Sequence, residues 1–217
     1  MIITIDGPAG TGKTTIARLL AEKLKFNYFD TGAMYRALTY QLLQKNIDLN
    51  NQEELSVFLE GFHFDIRENK KAKQYFVGGD DVTDFIRLPQ VNQKVSEVSA
   101  HPAVRGLLVG IQRQFGKEKN AVFEGRDMGT VVFPKAEIKI FLTARPAVRA
   151  ERRYLEFKEK KMPATQEEVY QELSNRDHFD STREISPLKQ ADDAHVIDTS
   201  DMTIEQVINL IVSLIPH

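Results

Sequence analysis

A three-layer α/β/α sandwich around a five-stranded parallel sheet is the fold this sequence predicts, and three observations predict it. Apolar runs recur near residues 3, 28, 122, 140 and 196. Those at Ala121–Phe123 and Ile138–Leu142 lack the alternation of a half-exposed strand, as happens when helices cover both faces of a parallel sheet. Stretches with helical spacing separate the runs, giving the strand–loop–helix repeat of an α/β architecture.

Each element has its own signature. Ile2–Asp6 is an apolar run ending in Asp-Gly, followed by Ile16, Ala17, Leu19, Leu20 and Leu24 at helical spacing up to about Lys25. Phe26–Phe29 is the second strand, and Asp30-Thr31-Gly32 opens a helix through about Lys45. A short helix follows at Gln52–Glu60. Between Phe62 and Ile86 the character changes: Phe62–Ile66 alternates, Gln74–Val77 is strand-like and Gly78–Asp81 reads as a turn, so a small β insertion is expected. Helices return at Val91–Val98 and Pro102–Phe115, and Pro146 suits the first turn of a helix running to about Lys160. A further helix is expected over Gln166–His178, and a last strand at Ala194–Ile197. Thr203 with Gln206 three residues on has capping-box spacing for the final helix.

Composition bounds the function. The 217 residues suit one domain with an insertion. A net charge of −2 offers no global basic field, so nucleic acid is not the expected partner. The absence of cysteine excludes disulfides, thiolate zinc sites and a cysteine nucleophile. The opening Ile2-Ile3-Thr4-Ile5 leaves no room for a signal peptide, and the apolar stretch Val207–Ile215, broken by Asn209 and Ser213, is too short to span a bilayer. A soluble, cytoplasmic monomer is the expectation.

The chemistry begins at Gly7-Pro8-Ala9-Gly10-Thr11-Gly12-Lys13-Thr14, which satisfies G-x-x-x-x-G-K-[ST] between a strand and a helix. Glycines let successive N–H groups turn inward on phosphate oxygens, and the helix N-terminus adds partial positive charge. This predicts an ATP cradle over Gly7–Thr15, including Pro8, Ala9, Gly10, Thr11 and Gly12, with Lys13 on the β- and γ-phosphates and Thr14 on Mg²⁺. A chance match in a chain of this length is roughly 1 in 100 at average glycine frequency. No [NT]-K-x-D guanine-reading element and no L-S-G-G-Q occurs.

Arginines sit where a second anionic substrate would bind. Arg36 lies early in the helix opened by Asp30 and Thr31. Gly125-Arg126-Asp127-Met128-Gly129-Thr130 follows a strand, at the end where ligands bind in open α/β sheets. Arg145, Arg149 and Arg153 recur every four residues beside Arg152, a stripe able to close over transferring phosphates. Arg176–Arg183 ends a helix with dense charge.

Together these motifs resemble the bacterial cytidylate kinases, a nucleoside monophosphate kinase family of the P-loop NTPase kinase type, over essentially the whole chain. The resemblance rests on Gly7–Thr15, Asp30–Arg36, Asp81-Val82-Thr83 with Ile86-Arg87, Gly125–Val132 and Arg176–Arg183. It implies one P-loop kinase domain over 1–217, with a nucleoside-monophosphate-binding insertion near 62–98 and an arginine-bearing helical lid near 145–185. It implies transfer of the ATP γ-phosphoryl group to CMP or dCMP. Arg36, Arg126 and Arg183 would clamp the acceptor phosphate with Thr31 nearby, and Asp127, Arg105 and Ser96 would read cytosine. Asp180, supported by Arg176, would take the ribose. Lys13, Arg126, Arg149 and Arg153 are the candidates for the transferring phosphoryl group, with Arg152 interchangeable by a shift in register. Glu124 and Asp30 compete to support Mg²⁺. Alternatives on the same core are a kinase of a small acceptor such as shikimate or gluconate, and a nucleotide-gated assembly ATPase.

Overall fold

A computed structural model describes residues 1–68, 73–117, 120–159 and 161–216. In chain order the elements are β1 (Ile2–Asp6), α1 (Lys13–Leu24), β2 (Asn27–Asp30), α2 (Thr31–Lys45), α3 (Gln52–Glu60), β3 (Phe64–Glu68), β4 (Lys73–Val77), β5 (Asp80–Asp81), α4 (Pro89–Ala100) and α5 (Pro102–Gly116). There follow β6 (Ala121–Glu124), a π-helical turn (Met128–Val132), β7 (Ile138–Thr143), α6 (Pro146–Glu159), α7 (Gln166–Thr182), β8 (His195–Asp198) and α8 (Ile204–Ser213). The chain divides into two compact units, one made of Met1–Asp30 with Phe115–His217 and the other of Thr31–Gln114.

The first unit holds the predicted parallel sheet, in the order β2-β6-β1-β7-β8. Every pairing is parallel, with Thr4 beside Phe123 on one side and Lys139 on the other. Ile3 and Ile5 of β1 point into an apolar cluster with Leu20 of α1, Val122, Ile140, Leu142, Ile197 and the α8 residues Val207 and Ile211. The aromatic rings of Phe29, Phe115, Phe123 and Phe133 form a second packed group, with contacting centroids 4.4–5.2 Å apart. Burying two rows of large side chains is what makes the central strands read as continuous apolar runs.

In this unit α7 and the segment after β6 differ from the sequence expectation. Helix α7 runs four residues beyond His178 to Thr182; no glycine or proline interrupts it before Pro187, and the Thr182 hydroxyl donates back to the His178 carbonyl. The segment after β6 is a π-helical turn rather than plain loop. Helix α8 opens with the predicted box, Thr203 and Gln206 capping each other's backbone, and α7 opens with a second one at Thr165 and Glu168.

In the second unit α2 packs on α4 and on β4. Strands β3, β4 and β5 form the antiparallel sheet of the expected β insertion, but Asp80 and Asp81, expected in the turn, pair with Val77 and Phe76 as a short strand. Gly78 and Gly79, both at positive φ (59° and 99°), make the two-residue turn before β5, the conformation a tight hairpin demands. No helix among the described residues is long and apolar enough to cross a membrane.

Candidate active site

The cradle follows from three glycines. Gly7, Gly10 and Gly12 have φ of 144°, 77° and 90°, the region L-residues avoid. A Cβ on Gly7 would sit 2.1 Å from the Leu142 carbonyl oxygen, so the loop leaves β1 pressed flat against β7. Helix α1 starts at once after Gly12. Lys13 is buried and its Nζ donates to the Pro8 carbonyl at 2.6 Å. Burial, followed by the Arg126 and Arg176 guanidiniums, pushes the Lys13 ammonium down to about 7, against Glu124 and Asp177. A bound polyphosphate would reverse that balance in favour of the charged form.

The tip of the cradle is bracketed. Asp177 of α7 accepts from the Ala9 N–H at 3.0 Å, and Arg149 of α6 donates to the Ala9 carbonyl at 3.0 Å. Arg149 and Asp177 are themselves paired, and Arg149 Nε also donates to the Ala144 carbonyl. Arg152 holds Thr199, whose hydroxyl donates toward the Thr11 carbonyl. Arg153 instead pairs with Glu156 one turn on and lies over the Phe157 ring, while Arg145 pairs with Asp201 at the surface.

Behind the cradle lies an acidic pair. Glu124, at the end of β6, accepts from the Tyr28 hydroxyl at 2.7 Å and is hydrogen-bonded to Thr14. Burial and the nearby Asp30 carboxylate push its carboxyl upward. The Thr14 hydroxyl with two carboxylates is an all-oxygen donor set, the kind a hard cation such as Mg²⁺ takes.

The loop after β6 supplies a second charged cluster. Arg126 Nε donates to Asp180 at 2.9 Å. Burial works against the Arg126 charge, but Asp180 outweighs it and holds the guanidinium above its ordinary value. Arg183 Nη2 lies 3.9 Å from Asp127, both side chains nearly enclosed. Arg183 Nε donates to the Ser186 carbonyl, which fixes the chain just beyond α7. A glycine-shaped P-loop and a set of guanidiniums with carboxylate partners thus lie at the C-terminal ends of β1 and β6, within one compact unit.

Comparison with known proteins decides what this arrangement belongs to. The family model described as cytidylate kinase matches residues 3–217. The chain belongs to the cytidylate kinase family. A cytidylate kinase of Protochlamydia amoebophila is 55% identical over 212 residues, covering 96% of this chain and 93% of the relative. One of Fusobacterium nucleatum is 47% identical, covering 97% and 95%. A solved structure of an uncharacterized protein from Eubacterium ventriosum superposes with a TM-score of 0.52 at 11% identity, covering 99% of this chain and 97% of that one; it shares the fold. As a member of this family the protein is an ATP-dependent phosphotransferase acting on small nucleotides.

In this member of the family, the candidate residues fall into two groups. Lys13, Thr14, Arg126, Asp127, Arg149, Arg153, Arg176, Asp180 and Arg183 lie in the first unit, and Thr31, Arg36, Ser96 and Arg105 in the second. In the second unit Arg105 of α5 is buried, donates to the Ser99 carbonyl and sits 5.7 Å from the Tyr35 ring of α2. Thr31 is buried at the start of α2, and Arg36 and Ser96 are half-buried. Sequence reasoning assigned no role to Asp6, Tyr28 or Asp177. Each acts through a partner more than 90 residues away in sequence, and no local motif announces that.

Proposed function

We propose that this protein transfers the γ-phosphoryl group of ATP to CMP or dCMP, giving ADP and CDP or dCDP. The observation that carries the reading is the glycine-shaped cradle with buried Lys13, set in one unit with the Arg126–Asp180 and Arg183–Asp127 pairs, in a chain of this family. An oxygen of the acceptor phosphate attacks the γ-phosphorus, and the bond to the β-bridging oxygen breaks, leaving ADP. That oxygen is already deprotonated near neutral pH, so no general base is needed, and catalysis is positioning and charge neutralisation.

Lys13 and the backbone of Gly7–Thr15 hold the ATP phosphates. Mg²⁺ would be held by Thr14, with Glu124 and Asp30 behind it, and would offset phosphate charge. Arg36, Arg126 and Arg183, with Thr31, take the acceptor phosphate, because guanidinium forks match phosphate oxygens. Asp127 accepts from the cytosine N4 amine, while Arg105 and Ser96 donate to N3 and O2. Asp180 and Arg176 take the ribose. The Arg149–Asp177 bracket supports a role for Arg149 in holding the cradle in shape, and Arg153, paired within its own helix to Glu156, is the lid arginine assigned to the γ-phosphoryl group. Residues 62–98 serve as the nucleoside-monophosphate-binding insertion and 145–185 as a lid that excludes water during transfer. A cytoplasmic monomer needing neither membrane nor nucleic acid fits this small-molecule chemistry.

Coupled ADP release measured across CMP, dCMP, UMP, AMP, GMP, TMP and shikimate tests the reading. CMP and dCMP should give the highest kcat/KM. ADP release no faster with CMP than with UMP or AMP would sink it.

A further inference from the structure

Asp6, the last residue of β1, is 4% exposed and lies outside both the cradle and the arginine set. Its two carboxylate oxygens are both used. Oδ1 accepts from the Met128 N–H at 2.9 Å and Oδ2 from the Gly129 N–H at 2.8 Å. These are the first two residues of the π-helical turn, and the residue before them is Asp127. The turn then closes on itself, the Val131 and Val132 N–H groups donating to the Asp127 carbonyl. Gly129 is pressed so closely on the sheet that a Cβ there would come within 3.1 Å of Thr4 Oγ1 and 3.2 Å of Lys139 Cδ. Met128 is 1% exposed, so water offers these amides no alternative acceptor.

We propose that Asp6 is a positioning residue for base recognition: by gripping the two amides after Asp127 it fixes the direction in which the Asp127 carboxylate meets the acceptor base. The inference rests on the assignment of Asp127 to the cytosine amine. Two parallel donors on adjacent residues need two acceptors, which a carboxylate has and an amide does not. An asparagine here would satisfy one N–H and aim its own N–H₂ at the other. The residue type is therefore set by the turn, not by the strand, where an apolar side chain would pack better. Burial pushes the Asp6 carboxyl up to about 6, the Asp127 charge adding to this and the two backbone bonds and Lys13 opposing it. A buried charge held at that cost is consistent with a task other than packing.

The test compares full-length wild type with Asp6→Asn and Asp127→Ala, reading kcat/KM for CMP and UMP, the KM for ATP, and thermal unfolding. Both acceptors carry the same phosphate, so the CMP-to-UMP ratio cancels its ionisation. Asp6→Asn should lower that ratio about tenfold, the scale of a lost charge-assisted bond that orients a reading group. The KM for ATP should stay unchanged and unfolding should stay cooperative, because relief of the buried charge offsets the amide N–H left without its acceptor. An unchanged ratio in Asp6→Asn, with the ratio collapsed in Asp127→Ala, overturns the role of Asp6 and leaves the cytidylate reading intact. An unchanged ratio in Asp127→Ala removes the base-reading assignment, and the inference with it. A parallel rise in the KM values for ATP and CMP also overturns it, because it marks general damage to the sheet edge. If Asp6→Asn does not fold, Asp6→Ser, which keeps one acceptor in a smaller side chain, is read in the same way.

Discussion

The loops after β1 and β6 leave adjacent parallel strands in the same direction, and they are held in opposite ways. The loop after β1 gets its shape from its own residues: three glycines at positive φ and an immediate helix start. The loop after β6 has no residue at positive φ. Its π-helical turn is fixed by Asp6 from the neighbouring strand, and its charged side chains by Asp180 of α7 and Arg183 just after it. One loop is turned by its own glycines and, in our reading, serves a substrate portion common to many kinases, the triphosphate. The other is shaped from outside and, in our reading, serves the portion that distinguishes this acceptor. Specificity residing in borrowed contacts can change with one distant substitution, whereas the cradle's turn is set by its own glycines and only braced from outside by Asp177 and Arg149.

Four measurements break or sharpen this contrast. Lys13→Ala should be the most severe, reducing kcat by about 10³-fold with every acceptor, because the charge meeting the transferring group is lost. Retained turnover with any acceptor would separate the cradle from the chemistry. Gly7→Ala comes next. Its Cβ would overlap a backbone carbonyl that cannot move aside, at a φ of 144°. We expect a loss of about 3 kcal/mol, a drop of roughly 6–12 °C in Tm for a chain of this size, and weakened ATP binding.

The third concerns the outside grip on the β6 loop. With the Asp6 carboxyl raised from 3.8 to about 6, the folded protein holds that proton more tightly than the unfolded chain does. The stabilisation is fully present below about pH 4 and is lost as the pH rises through about 6. Relative to Asp6→Asn, the wild type should therefore lose about 3 kcal/mol of unfolding free energy across that window. Denaturant titration at both ends reads it, and a constant difference would mean Asp6 is not the buried carboxylate described. The smallest effect is Gly129→Ala. Its Cβ meets side chains of Thr4 and Lys139 that can yield, so we expect about 1 kcal/mol and a KM for CMP raised about threefold, with the ATP KM unmoved. Equal damage to both KM values would erase the distinction between the loops.

The same contrast explains what the sequence could disclose. The five strands, the insertion, the cradle and the final capping box were legible because each is encoded by neighbours in the chain: apolar period, glycine spacing, Thr203 with Gln206. The resemblance to a known family added the charged residues of the acceptor half, since Ser96 and Arg105 carry no local mark beyond a place on a helix. What stayed hidden was support. The Tyr28 hydroxyl on Glu124, Asp177 on Ala9 and Asp6 on the β6 turn join residues 96, 168 and 122–123 positions apart. Such pairs exist only once parallel strands set their register. The π-helical turn was hidden for a related reason, its geometry being imposed by acceptors outside it.

The bracket on Ala9 bears on how the proposed lid could move. One residue of the cradle, Ala9, is tied through its N–H to α7 and through its carbonyl to α6, near the start of α6 and toward the end of α7. The two helices are therefore rooted on the donor loop itself. Any swing must be made by their far ends, with the amplitude growing along the helices and vanishing at the anchor. A lever pivoted there would sweep its tip over the proposed nucleotide site without disturbing the cradle that would form its floor.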